Sequence, residues 1–226
     1  MNFRRILRHA LAAISAALIG IAAWEGYAVW KAESRTADIL AIWLAKPQPL
    51  ALASLSPEQR DILLKVEDPG FYGHSGIDVS SPGQGMTTIT QGLVKLLYFD
   101  PFTPGFAKIE QSLIARFVLN RHLNKDQQLT LFINHAYLGA HGGRQIHGFA
   151  EASLAYFGKP FDALGRDEYI GLVSMLIGPN EFRPDKPGAY NERVARIKAL
   201  LAGQCKPTGV FDPLYEGCAT HITELR

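Results

Sequence analysis

From Ala10 to Trp30 the chain is almost continuously apolar, and Glu25 is its only formal charge. That length approaches the ~20 residues that cross a hydrocarbon core. Trp24, Tyr27 and Trp30 stand where an interfacial aromatic belt would lie. The pattern predicts a transmembrane anchor over 10–30, a short cytoplasmic tail over 1–9, and a linker or juxtamembrane helix over 31–54. A cleaved signal peptide is the alternative, because "AISAALIGIAA" offers small residues for a peptidase. Arg4, Arg5 and Arg8 precede the run and stay inside by the positive-inside tendency, so both readings export the chain beyond Trp30.

Beyond residue 55 the polar and apolar positions alternate with helical period. Ser56-Pro57-Glu58-Gln59 has the layout of a capping box with proline at the first helical position, and the helix it opens stops at Pro69-Gly70. Further helices are predicted from Thr87 through "TTITQGLVKLLYF", over 108–121, and from Asn124. In the last of these Leu129, Phe132, Ile133, Ala136 and Tyr137 form a core stripe. "GAHGGRQIHG" reads as a glycine-rich turn, too irregular for a phosphate-binding loop of the nucleotide type. Three more helices are predicted over 148–157, 166–177 and 189–201. No sustained period-two alternation is present, so the domain is expected to be mainly α.

At 226 residues the chain has room for an anchor and one ordinary domain. A formal charge of +2, with no basic run interleaved with aromatics, argues against nucleic acid as a partner. Cys205 and Cys218, the two cysteines, flank a proline- and glycine-containing tail over 203–226, and a disulfide there would tie down a segment with little core of its own. His135, His141 and His147 recur every six residues, which does not hold one helical face, so no metal site is predicted.

The chemistry lies in "VEDPGFYGHSGID". Glu67 and Asp68 sit at the carboxyl end of a helix, where the macrodipole disfavours negative charge. Such local violations tend to mark functional sites. Phe71, His74 and Gly76 come after them at fixed spacing, and "GMTTITQGLVK" is next, with Gly85, Thr87, Thr88, Gln91 and Lys95 around one helix start.

With these two motifs the sequence resembles the peptidoglycan glycosyltransferase family, the transglycosylase domain of class A penicillin-binding proteins and of monofunctional enzymes. "EDPGFYGHSG" matches every fixed position of the family's E-D-x-x-F-x-x-H-x-G, and "GMTTITQGLVKL" keeps the glycine, the Thr-Ile-Thr-Gln and the lysine of its second motif. The resemblance covers about 55–201, including "KDQQLTLFINHAYLG", and implies a lysozyme-like helical domain over 55–202. It further implies polymerisation of lipid II at the bacterial cytoplasmic (inner) membrane, with the domain periplasmic. A sugar 4-hydroxyl would displace undecaprenyl pyrophosphate with inversion. Glu67 carries the role of general base, with Asp68 beside it raising its pKa. Thr87, Thr88, Gln91, Lys95 and Lys108, with backbone N–H groups at the Gly85 helix start, would receive the pyrophosphate. Phe71, His74, Gly76 and Gly85 would shape the site. No cofactor is required, and assistance by a divalent cation, Mg²⁺ or Mn²⁺, stays open. The expected partners are lipid II, the nascent strand and the bilayer, with other cell-wall or secretion machinery open. In the family a hydrophobic segment near the second motif dips into the membrane, a use that Leu97, Tyr98, Phe99, Phe102 and Phe106 suit; core packing is the alternative.

The third motif, R-K-x-x-E, is where the chain departs. Lys108 takes the place of the lysine or the arginine, depending on register, and Gln111 or Ser112 that of the glutamate. Glu110 is adjacent but rotated by ~100° or more about the helix from either position. The alternative function is a catalytically impaired relative that binds lipid II or serves as a scaffold. A lysozyme-like hydrolase is a third reading, disfavoured by the anchor.

Overall fold

A computed structural model describes residues 3–219. Residues 1–2 and 220–226, the outer ends of the predicted cytoplasmic and C-terminal tails, lie outside the described residues.

Helix α1 runs unbroken from Phe3 to Leu44. At 1.5 Å per residue it is ~60 Å long, about twice a hydrocarbon core of ~30 Å. It is long and apolar enough to cross a membrane, and the apolar window is not covered by the rest of the chain. The helix continues past residue 30 through much of the expected linker or juxtamembrane helix, and its buried Ala32, Thr36 and Leu40 pack on the domain. Thr36 Oγ1 lies 2.9 Å from Tyr98 Oη, and His122 lies 2.9 Å from Glu33.

Eight further helices and one hairpin come after α1 among the described residues: α2 (Pro57–Glu67), α3 (Ile89–Tyr98), α4 (Ala107–Ile114), α5 (Asn120–His122), α6 (Lys125–His135), β1 (Tyr137–His141), β2 (Arg144–His147), α7 (Gly148–Phe157), α8 (Arg166–Ser174) and α9 (Pro187–Leu201). The architecture is mainly α. Full capping boxes open α2 at Ser56, α3 at Thr88 and α6 at Asn124, and Gly158 closes α7 in the left-handed conformation.

Three expectations are corrected. The helix predicted over 108–121 passes through a π-helical turn at Ala115–Leu119. The helix from Asn124 ends at His135, and Tyr137 begins a strand antiparallel to β2, paired with His147. The glycine-rich stretch after it is part of an antiparallel hairpin whose register is irregular between Tyr137 and Ala140, with Gly142 and Gly143, both at positive φ, at its tip.

The core is one cluster in which Leu63, Phe71, Leu93, Val94, Leu129, Ile133, Phe149, Tyr169 and Leu172 are all essentially inaccessible. It joins α2, α3, α6, α7 and α8, of which α2 ends at the acid pair and α3 begins against it. The Asn134 side chain clasps the chain after α1, accepting from Leu50 N at 3.0 Å and donating to Leu50 O at 2.7 Å. Leu93→Ala, in the centre of α3, is expected to cost about 2–5 kcal/mol, measured by denaturant unfolding in detergent. Leu18→Ala, exposed on the apolar half of α1, should leave that transition unmoved.

Candidate active site

The acid pair splits into two carboxylates with different surroundings. Asp68, at the C-cap of α2, is fully buried. Its Oδ2 accepts from Ile89 N at 2.9 Å, and its Oδ1 lies 2.9 Å from His74 Nε2. His74 Nδ1 accepts from Gly76 N at 3.0 Å, so Nε2 carries the proton and donates to Asp68. The charge that the α2 dipole disfavours thus lies at the amino terminus of α3, where exposed N–H groups favour it.

Glu67 is half-buried, and none of the side-chain hydrogen bonds among the described residues uses its carboxylate. Burial lifts its pKa to about 7; the Arg193 guanidinium works against that rise and Asp68 adds to it. A carboxyl poised near neutrality with free lone pairs is suited to accept a proton.

Phe71 packs in the core below the loop. The Lys125 ammonium lies 4.5 Å above its ring, buried without a hydrogen-bond partner. Desolvation pulls the Lys125 pKa down to about 8 against the opposing pull of Asp68. Gly76 is at φ +98°, and a Cβ there would lie 2.5 Å from Ala115 O at the start of the π turn.

The cationic side is built from two helices. Lys108 Nζ donates to Thr87 Oγ1 at 2.9 Å. Lys108 and Lys95 flank the Phe102 ring at 5.9 and 5.4 Å, and burial together with Lys95 lowers the Lys108 pKa. Gln84 links this pair to the acid: its Nε2 lies 3.0 Å from Thr87 O and 3.3 Å from Glu67 O.

Not every residue expected to face a phosphate is free to do so. Thr88 Oγ1 donates to Gly76 O and accepts from Gln91 N. The Gln91 amide receives Thr88 N at 2.8 Å and donates to Ser112 Oγ at 2.8 Å. Both side chains are buried and committed to the α3 cap. The helix starts at Ile89, not near Gly85, and Ile89 N is already taken by Asp68. Gly85 instead packs against Pro213. Lys95, Lys108 and Thr87 remain for a ligand.

Where the third motif would place a glutamate, Gln111 is fully buried and donates to Gln91 O, and Ser112 joins Gln91 and Lys108 O. Glu110 turns the other way and accepts from Trp24 Nε1 on α1 at 3.1 Å. Of the apolar residues suited to a bilayer, Leu97 is core and Tyr98 is tied to α1, whereas Phe106 is 68% exposed.

Residues 39–203 match the profile of the family described as Transglycosylase. The chain belongs to that family. The match begins within α1, ahead of the domain start at 55 expected from the motifs. Relatives include penicillin-binding protein 1B of Buchnera aphidicola, 38% identical over 54% of this chain and 18% of the relative. Penicillin-binding protein 1B of Escherichia coli is 36% identical over 64% and 19%. Penicillin-binding protein 1F of Bacillus subtilis is 28% identical over 74% and 25%. The chain spans about a fifth of the length of these relatives.

Arg193, Gln84 and Tyr215 border the candidate transglycosylase site but carried no recognisable motif. Arg193 had one legible signal: it shares a stripe with buried Ile197 and Leu200 on α9, a place where a charge needs a reason.

The unfolded chain ionises Glu67 near 4.5 and the folded chain near 7, so the fold holds this proton more tightly. That contribution is complete below about pH 4.5 and is lost as pH rises through 7. Glu67→Gln should therefore stabilise the protein at pH 8, by up to ~3 kcal/mol, and change little at pH 4. Equal effects on denaturant unfolding at the two pH values would contradict the raised pKa.

Proposed function

We propose that this protein is a peptidoglycan glycosyltransferase that polymerises lipid II. Glu67 accepts the proton of an incoming sugar 4-hydroxyl as its oxygen bonds to the anomeric carbon of the lipid-linked strand. The bond from that carbon to the diphosphate oxygen breaks on the opposite face, so configuration inverts and undecaprenyl pyrophosphate leaves. Lys95 and Lys108, with Thr87 bonded to Lys108 and the Gln84 bridge, meet the charge that develops on the leaving oxygen. Mg²⁺ or Mn²⁺ is optional assistance in this scheme.

The observation that carries the reading is the pairing of an unpartnered, half-buried carboxyl with a two-lysine pole across one buried glutamine. A structural acid is normally hydrogen-bonded when it loses water; Glu67 is not, whereas its neighbour Asp68 is. The transglycosylase profile over most of the chain supports the same reaction class. In this reading Arg4, Arg5 and Arg8 stay cytoplasmic, α1 crosses the inner membrane, and its outer half holds the domain on the periplasmic side. Exposed Phe106, Ile109 and Phe117 then suit contact with the bilayer.

A second reading, a catalytically impaired lipid II-binding relative, is favoured by one specific observation: Gln111 and Ser112 stand where the family motif has its second acid, and Glu110 faces α1. Full-length protein in detergent, given labelled lipid II, decides between them on a gel. The polymerase reading expects polymer from the wild type and a loss of about 10²-fold or more in Glu67→Gln. Because the base works ionised, the wild-type rate should fall about tenfold per pH unit below 7. Lipid II binding without polymer from either protein supports the impaired relative, and equal polymer from both excludes Glu67 as the base.

A further inference from the structure

The segment after α9 has little core of its own, yet it is closely built. Cys205 and Cys218 are bonded. Between them the buried Asp212 carboxylate accepts from Thr208 N, Glu216 N and Gly217 N at 3.0, 2.7 and 3.1 Å. A loop closed at its ends and organised around one anion has few alternative shapes.

This loop lies directly on the loop that joins the two halves of the site. Gly83 N donates to Gly209 O at 2.9 Å, and Gly85 N to Val210 O at 2.7 Å. A Cβ on Gly83 would approach Tyr215 Cε1 to 2.7 Å, and one on Gly85 would approach Pro213 Cβ to 3.0 Å. The residue held between these two anchored glycines is Gln84, whose amide spans Glu67 O and Thr87 O.

The same loop caps α2 from the other side. The last carbonyls of a helix lack intrahelical partners; here Tyr215 Oη donates to Val66 O at 2.6 Å, one residue before Glu67. Tyr215 is 1% exposed, and the Arg193 guanidinium lies 4.6 Å from its ring centroid. Arg193 Nη1 in turn donates to Pro213 O at 2.7 Å. The two carbonyls that end α2, those of Val66 and Glu67, are thus held by Tyr215 and Gln84, one in the loop and one pinned by it.

We propose that the disulfide-closed segment 205–218 is a positioning element of the reaction site, with Tyr215 as its principal residue, fixing Glu67 against the Thr87–Lys108 pair. The proposal rests on the reading of Glu67 as the base. The charged and titratable groups facing Glu67 are Asp68 on its own turn, Arg193 from α9 and Tyr215 from the loop. Opening the loop admits water to the carboxyl while Arg193 stays on α9, and both effects favour the ionised form.

The test uses full-length protein in detergent with ¹³C-labelled glutamate carboxyls, the Glu67 signal being assigned by its loss in Glu67→Gln. It is titrated with the disulfide intact, after reduction, and in Tyr215→Phe, which keeps the bridge. Reduction should lower the Glu67 midpoint by about one unit or more and speed amide exchange at Gly83 and Gly85 about tenfold. Tyr215→Phe should move both in the same direction by less. With lipid II, kcat at neutral pH should fall about tenfold with KM within about twofold. If reduction unfolds the domain, Tyr215→Phe alone carries the decision. An unmoved midpoint and unmoved exchange in the folded variant overturn the proposal, even where polymer is made. A shifted midpoint in a protein that makes no polymer upholds the positioning and removes the base assignment instead.

Discussion

The buried carboxylate of Asp68 is the interaction on which the rest depends. A fully desolvated anion persists only if its lone pairs are met, and here they are met by His74 and by the first amide of α3. Because those partners come from different parts of the chain, the single charge joins the end of α2, the His74–Gly76 turn and the start of α3. It also explains why two acids adjoin where one helix disfavours both. Asp68 serves the amino terminus of the next helix, and Glu67 is left beside it, crowded and without a donor.

That division of labour shapes the chemistry. Burial without a hydrogen-bond donor displaces the Glu67 carboxyl toward neutral pH. Gln84 joins the backbone at Glu67 to that at Thr87, and Thr87 in turn holds Lys108. The lack of a second carboxylate at Gln111 or Ser112 is compatible with the fold because both side chains are absorbed into the network around Gln91. The Gln111 amide is only half met: its Nε2 donates to Gln91 O, whereas its buried Oε1 has no partner among the described residues.

The continuous α1 has a mechanical consequence. Its C-terminal half is part of the domain, through Thr36–Tyr98, Glu33–His122 and Trp24–Glu110. The site is therefore mounted on the helix rather than tethered by a flexible linker. A recess of about 310 Å³ near Lys46, His135, His147 and Glu151 lies where the chain leaves α1 and shares no residue with the Glu67 site.

The helical class, the order of the main helices, the capping boxes at Ser56 and Asn124 and the apolar anchor were legible in the sequence, because each rests on residues within a turn or two of one another. Glu67, Asp68, His74 and Lys95 stood out as candidates for the same reason, as short fixed spacings. The hairpin at Tyr137 was not, since a five-residue strand beside a glycine pair imitates the end of a helix. Nor was the commitment of Thr88 and Gln91 to a cap, the turning of Glu110 toward α1, or the approach of Arg193 and Tyr215 to Glu67. Those depend on which surfaces meet between elements far apart in the chain, and only burial in the folded chain determines which polar atoms are satisfied by protein and which remain to receive a proton.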